Sequence, residues 1–273
     1  TGTLDLGNAS GDTFVFDAGL TESTTGTVTL AGSIDSTNDD ITFGAITLAT
    51  ATTIDTNATD TTGDIIIGAV TGANTTLNLD TTATTGSADI TFNGDINLGT
   101  GALTVTGDVV LGANVTITAT SNGGTGIRFN DAINADNASS NDRTLTLNAG
   151  TGSRIVVSGN IGATQPLAGL TVTQSGNSGA SFSGTVDVSD TNSGTITLTD
   201  TIDGANIVFS GNVTADNFVT AAQGYDIFLL GNTTIANAVT FQNTGTLDLG
   251  NATSDTFTFN GGMTENTGGT VTI

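Results

Sequence analysis

Apolar and polar residues alternate along most of this chain, but only in short bursts. Thr3–Leu6 (TLDL), Thr13–Phe16 (TFVF), Thr27–Leu30 (TVTL), Asp40–Phe43 (DITF), Thr76–Leu79 (TLNL) and Leu103–Thr106 (LTVT) are examples. Their β-branched, aromatic and leucine residues recur at every second position, which is the side-chain period of a β-strand. Gly, Asn, Asp or Ser follows each burst within two residues. No segment carries a 3.6-residue apolar stripe, so the pattern predicts essentially no helix.

A second rhythm lies above the first. A phrase of the form apolar-x-apolar, Gly or Asn, apolar returns throughout. It reads FVFDAGL from Phe14, ITFGAI from Ile41, IIIGAV from Ile65, ITFNGDI from Ile90, VVLGANV from Val109 and IRFNDAI from Ile127. It continues as IVVSGNI from Ile155, SFSGTV from Ser181, IVFSGNV from Ile207, IFLLGNTTI from Ile227, VTFQN from Val239 and FTFNGGM from Phe257. The spacing scatters from about 12 to 28 residues around a mean of about 22. Short strands at such spacing suit either an antiparallel sandwich or a parallel β-helix. Hairpin dipeptides are few (Asn93-Gly94, Asn122-Gly123, Asn260-Gly261), and uneven spacing is natural where each coil bulges at a corner. The expected fold is therefore an all-β parallel β-helix of about 11–12 coils, each of roughly 20-odd residues. Leu4, Leu6, Phe14, Phe16, Ile41, Phe43, Ile90 and Phe92 are expected to point inward, with Thr outward. Asn93, Asn130, Asn160 and Asn212 are expected at corners, where amides bridge adjacent coils.

The largest repeat is nearly the length of the chain. Residues 1–30 and 244–273 align without a gap at an offset of 243, with 21 of 30 positions identical. The two glutamates, Glu22 and Glu265, are the same position in the two copies. We expect one continuous solenoid over residues 1–273, in which 1–243 is a tandem unit and 244–273 begins the next. At one coil per ~4.8 Å, a unit would add roughly 50 Å of rod.

Composition narrows the function. Disorder is disfavoured because 36% of residues are hydrophobic and alternate. Cysteine is absent, so neither a disulfide framework nor a thiolate metal site is available. The formal charge of −23, with 26 acidic residues against three arginines, disfavours nucleic acid and anionic membrane surfaces. No stretch is apolar for the length of a membrane span, so no membrane insertion is expected in this segment.

Stretches such as TLTLNAGTGSRIVVSGNIG (Thr144–Gly162), PLAGLTVTQSG (Pro166–Gly176) and ASFSGTVDV (Ala180–Val188) resemble the beta-strand-repeat regions of giant bacterial surface proteins. These are similar to the stalks of filamentous-haemagglutinin-like and autotransporter-type adhesins. The resemblance is one of Gly-, Thr- and Asn-rich alternation over the whole chain. It implies a secreted or surface-exposed β-helix and assigns no receptor-binding residue.

The candidates for chemistry are sparse. Asp39 with Asp40, Asp60 with Asp64, Asp131 with Asp136, Asp187 with Asp190 and Asp200 with Asp203 are paired carboxylates of the kind glycoside cleavage uses. There is no Trp, one Tyr (Tyr225) and no His or Lys, so a sugar groove with an acid–base pair is disfavoured. Solvated turn aspartates are the plainer reading. The calcium nonapeptide and EF-hand patterns are absent, leaving weak Ca²⁺ association with an acidic surface. Thr-x-Thr runs need no ice-binding role, and the Asn-x-Ser/Thr sequons follow from composition. Arg128, Arg143 and Arg154 fall within one 27-residue stretch and are candidates for contact with an acidic neighbouring subunit. The alternative is local pairing with Asp131 or Asp142.

The sequence thus predicts a non-enzymatic structural element of a bacterial surface, a stalk, filament or sheath. Its predicted partners are copies of itself in tandem, with lateral contacts the looser expectation. An adhesin module binding glycan or protein is the alternative, with Phe218–Leu230 around Tyr225 as its one candidate stretch. A polysaccharide-cleaving β-helix comes third.

Overall fold

In the computed structural model, residues 2–23, 26–57, 63–82, 88–136, 143–189, 193–199, 201–266 and 268–273 are described. Among them are 32 strands and no helix. Every strand pairing is parallel, and strands pair with those about one coil before or after them. Following the pairings resolves three stacks, and the chain visits them cyclically.

Face 1 begins Leu4, Val28, Ile46, Val70, Ile96 and passes through Ile117 and Leu147 to Val172, Leu198 and Thr220. Face 2 begins Phe14, Ile34, Ile54, Leu79, Val105 and Phe129, and later passes Phe182, Phe209, Leu229 and Leu249. Face 3 begins Leu20, Ile41, Ile65, Ile90, Val109 and Ile133, crosses Ile161 and Val186, and ends at Thr233 and Phe257. Faces 1 and 2 run together without a break in the long strands Val28–Ser36 and Ile46–Asp55. Between these two strands the corner is a register shift between Leu30 and Gly32.

The molecule is therefore a three-faced β-solenoid. Leu20 to Phe257 spans eleven visits to face 3, a mean advance of about 24 residues per coil. In a parallel, in-register stack a residue's neighbours above and below occupy the same position of the adjacent coils. Alternation then points one column of each face inward along the whole rod. Ile41, Phe43, Ile90 and Phe92 are buried as expected. Leu4, Leu6, Phe14 and Phe16 also face inward, but they lie in the first coil and are only partly buried. One continuous cluster runs from Val28 to Leu249. In its C-terminal half Phe182 and Phe209 stack with centroids 4.9 Å apart and planes 11° apart. Phe218, Phe241 and Phe259 extend the contact chain at 5.5–6.2 Å.

The recurring phrase does not count coils. From Ile41 to Val109 it lies on face 3, from Ile127 to Ile227 on face 2, at Val239 on face 1, and at Phe257 on face 3 again. Each change of face alters the interval. The steps Val109 to Ile127, Ile227 to Val239 and Val239 to Phe257 each cover two strands instead of three. The uneven spacing in the sequence thus has two sources, bulged corners and a phrase that migrates around the rod.

Candidate functional site

The interior is filled with side chains, so function belongs to the corners and outer faces. A strand's ladder breaks at each corner, leaving backbone N–H groups that need acceptors. Asn and Asp side chains supply them across coils. The Oδ1 atoms of Asn74, Asn134, Asn160, Asn212 and Asn232 accept the backbone N–H of Thr100, Thr164, Thr185, Asn232 and Thr256, at 2.9–3.1 Å. Asp40, Asp64 and Asp108 do the same for Asp64, Asp89 and Ala132, at 2.9–3.0 Å. Of the four predicted bridging amides, Asn160 and Asn212 act in this way. Asn130 instead donates from Nδ2 to Thr106 Oγ1 at 3.0 Å. A side-chain amide-to-amide contact between coils joins Asn237 to Asn217 at 3.1 Å.

One corner also demands glycine. Gly159, Gly184, Gly211 and Gly231 stack in successive coils between faces 2 and 3. A Cβ at Gly231 would lie 2.7 Å from the Gly211 carbonyl carbon, and one at Gly211 would overlap the Gly184 backbone. The backbones approach too closely there for any side chain.

The carboxylate pairs are drawn into this corner network. Asp131 accepts Gly107 N–H at 2.8 Å, Asp203 accepts Gly224 N–H at 3.0 Å, and Asp187 caps Ser189. Asp60, Asp190 and Asp200 lie outside the described residues. Burial, with Asp64 and Asp108 close by, raises the Asp89 carboxyl above its ordinary range. Asp55 is raised by burial, partly offset by Asn57 N–H, with Asp80 and Asp35 adding repulsion. Asp12, by contrast, is lowered because it accepts two backbone N–H groups. A groove beside Asp89, Asp108, Val110, Asn134 and Asp136 has no aromatic ring in its wall. Among the described residues no three side chains of metal-ligating type converge.

The structure separates the three arginines. Arg143 grips Asp136 through two bonds, Nε to Oδ1 at 3.1 Å and Nη2 to Oδ2 at 2.7 Å. It is the one ion pair among the described residues. Its partner is Asp136, not Asp131; Asp142 lies outside the described residues. Arg128 and Arg154 meet on face 2, both donating to Thr125 Oγ1, at 3.4 and 2.9 Å. Only these two remain as a joint outward basic feature.

No protein-family model, curated protein or solved structure matches this chain.

Tyr225, at the centre of the stretch Phe218–Leu230 that the sequence offered for an adhesin contact, is fully buried. Its hydroxyl accepts Ala221 N–H and donates to the Leu198 carbonyl, both at 2.9 Å, filling the corner between faces 1 and 2. The flanking residues are ordinary strands, Asn217–Thr220 and Asp226–Leu229, not an inserted loop. Among the described residues no helix is long and apolar enough to cross a membrane.

Proposed function

We propose that this chain is a length of extracellular structural rod, a stalk, filament or sheath element of a bacterial surface, with no catalytic role. The observation that carries the reading is the three-face stack, continuous along faces 1 and 2 and carried across Ile161 by isolated bridges on face 3; its interior holds side chains and its corners spend their polar groups on coil-to-coil bonds. Stacked ladders resist bending because tilting one coil strains three sheets together. Thr and Asp on the outside keep the rod solvated, and the −23 charge keeps copies dispersed at low salt. Solenoids grow by neighbour contacts, so tandem 243-residue units lengthen the rod without a new core.

The adhesin reading loses its one candidate ring, because Tyr225 is inside. Arg128 and Arg154 are the residues to test for contact with an acidic neighbour. Antibodies against the purified chain, applied to unpermeabilised source cells, should decorate a fibre or coat in immuno-electron microscopy. Unlabelled intact cells, with labelling of the interior once the same cells are permeabilised or sectioned, would refute the proposal.

A further inference from the structure

Residues 1–30 and their copies at 244–273 make the same local turns. Asp12 Oδ2 accepts Asn8 and Ala9 N–H at 2.8 and 3.0 Å, and Asp255 Oδ2 accepts Asn251 and Ala252 N–H, both at 2.9 Å. Gly7 and Gly250 hold φ of 84° and 92°. Yet the copies occupy different faces. Leu4 stacks on face 1 with Val28, whereas its copy Leu247 stacks on face 2 with Ile227. Phe14 is on face 2 and its copy Phe257 on face 3. Leu20 is on face 3 and its copy Met263 on face 1. Val28 is on face 1, while its copy Val271 pairs with Leu247 on face 2. Counting visits from Leu4 to Leu247 gives ten coils and one third.

The two copies also differ in how far their apolar residues are covered. Val28 and Leu30 are 1% and 0% exposed because Ile46 and Leu48 of the next coil cover them. Their copies Val271 and Ile273 are 37% and 91% exposed.

We propose that the 243-residue period is a screw operation: a further unit stacks end to end on the edge at Val271 and Ile273, turned by one face. Its first covering run has the sequence of residues 31–48, which places copies of Ile46 and Leu48 over Val271 and Ile273. Each unit then rises about 50 Å and turns by a third of a coil. The Asp12-type loop moves to a new corner with every unit and returns to its first corner after three. Equivalent surfaces therefore point in three directions along the rod, which goes beyond the rod reading and holds whatever the rod supports.

The chain has no cysteine, so introduced pairs report the face directly. Register partners lie about 4.8 Å apart, within disulfide reach. Under mild oxidation Thr234→Cys with Thr258→Cys should link within the chain, and Phe228→Cys with Thr258→Cys should not. Val15→Cys with Asp35→Cys, partners in the first coils, should link and shows that the coils are stacked. A link from position 258 to 228, or none to 234 while the control links, overturns the turn by one face. Appending residues 31–48 after Ile273 should slow amide exchange at residues 263–273 by about tenfold or more, and a scrambled run should not. Equal protection by both runs, or by neither, overturns the stacking.

Discussion

Truncating Phe209 to Ala should remove a large, local share of the rod's stability. The side chain is fully buried on face 2, stacked on Phe182 at 4.9 Å and touching Phe218 edge-on at 6.2 Å. Core Phe→Ala changes cost about 3–5 kcal/mol, and each aromatic pair adds about 0.5–1.5 kcal/mol beyond area. Collapse around the cavity is blocked, because three parallel ladders hold the coils at their spacing. We expect about 4–5 kcal/mol for the coils around Phe209. Solenoid stability is a sum of nearest-neighbour terms, so the loss should stay near the site. Urea titration followed by hydrogen exchange should show residues 180–241 deprotected first while residues 28–117 keep their protection. The half-buried first-coil Phe14, changed to Ala, should cost no more than about 2 kcal/mol. A Phe209→Ala loss below about 1 kcal/mol, or one spread evenly along the chain, would refute the stacked-column account.

Gly211→Ala should destabilise by more than about 2 kcal/mol, because its methyl group overlaps the Gly184 backbone; an unchanged urea midpoint would show that the corner can widen. Arg143→Ala should cost about 1 kcal/mol through its two-bond grip on partly buried Asp136, whereas Arg128→Ala and Arg154→Ala should each cost under about 0.5 kcal/mol. If Arg128 and Arg154 contact a neighbouring rod, their double substitution by Asp should lower self-association in sedimentation without shifting that midpoint.

The fold class and the inward set were legible because alternation and corner residues are local signals. Ile41, Phe43, Ile90 and Phe92 needed only their period of two. The face was not legible, since ITFGAI on face 3 and IVFSGNV on face 2 present similar inward residues and turn chemistry. The aspartates read as solvated turn residues, and Asp40, Asp108 and Asp203 do make exposed corner bonds; that Asp64 of one coil meets the Asp89 N–H of the next was not legible, because pairing between coils leaves no local signal. Phe218–Leu230 read as a candidate contact stretch because it holds the one tyrosine, and no local signal showed that a corner would bind the Tyr225 hydroxyl to backbone groups. The equivalence of faces also explains how two 30-residue copies, identical at 21 positions, serve on faces 1-2-3-1 at one end and 2-3-1-2 at the other.

The acidic ladder offers the sharpest test of how the corners balance charge. Asp64, Asp89 and Asp108 open successive face 3 strands, and Asp89 pairs in register with Asp108. Burial and then those two neighbours raise the Asp89 carboxyl above its ordinary 3.8. The folded state therefore binds this proton more tightly than the unfolded chain does. By linkage, Asp89 weakens the fold at neutral pH, and that penalty is relieved as pH falls through the folded value toward 3.8. Asp12 runs the other way: its lowered carboxyl supports the fold near neutrality and that support is lost on acidification below 3.8. Asp89→Asn should raise the urea midpoint at pH 7 and flatten its rise between neutral pH and about pH 4. Added salt should raise the wild-type midpoint more than the variant's, since screening already relieves part of the ladder's repulsion. A variant less stable than wild type at pH 7 would mean that the Asp89 carboxylate is held by favourable bonds, and that the ladder is a source of stability.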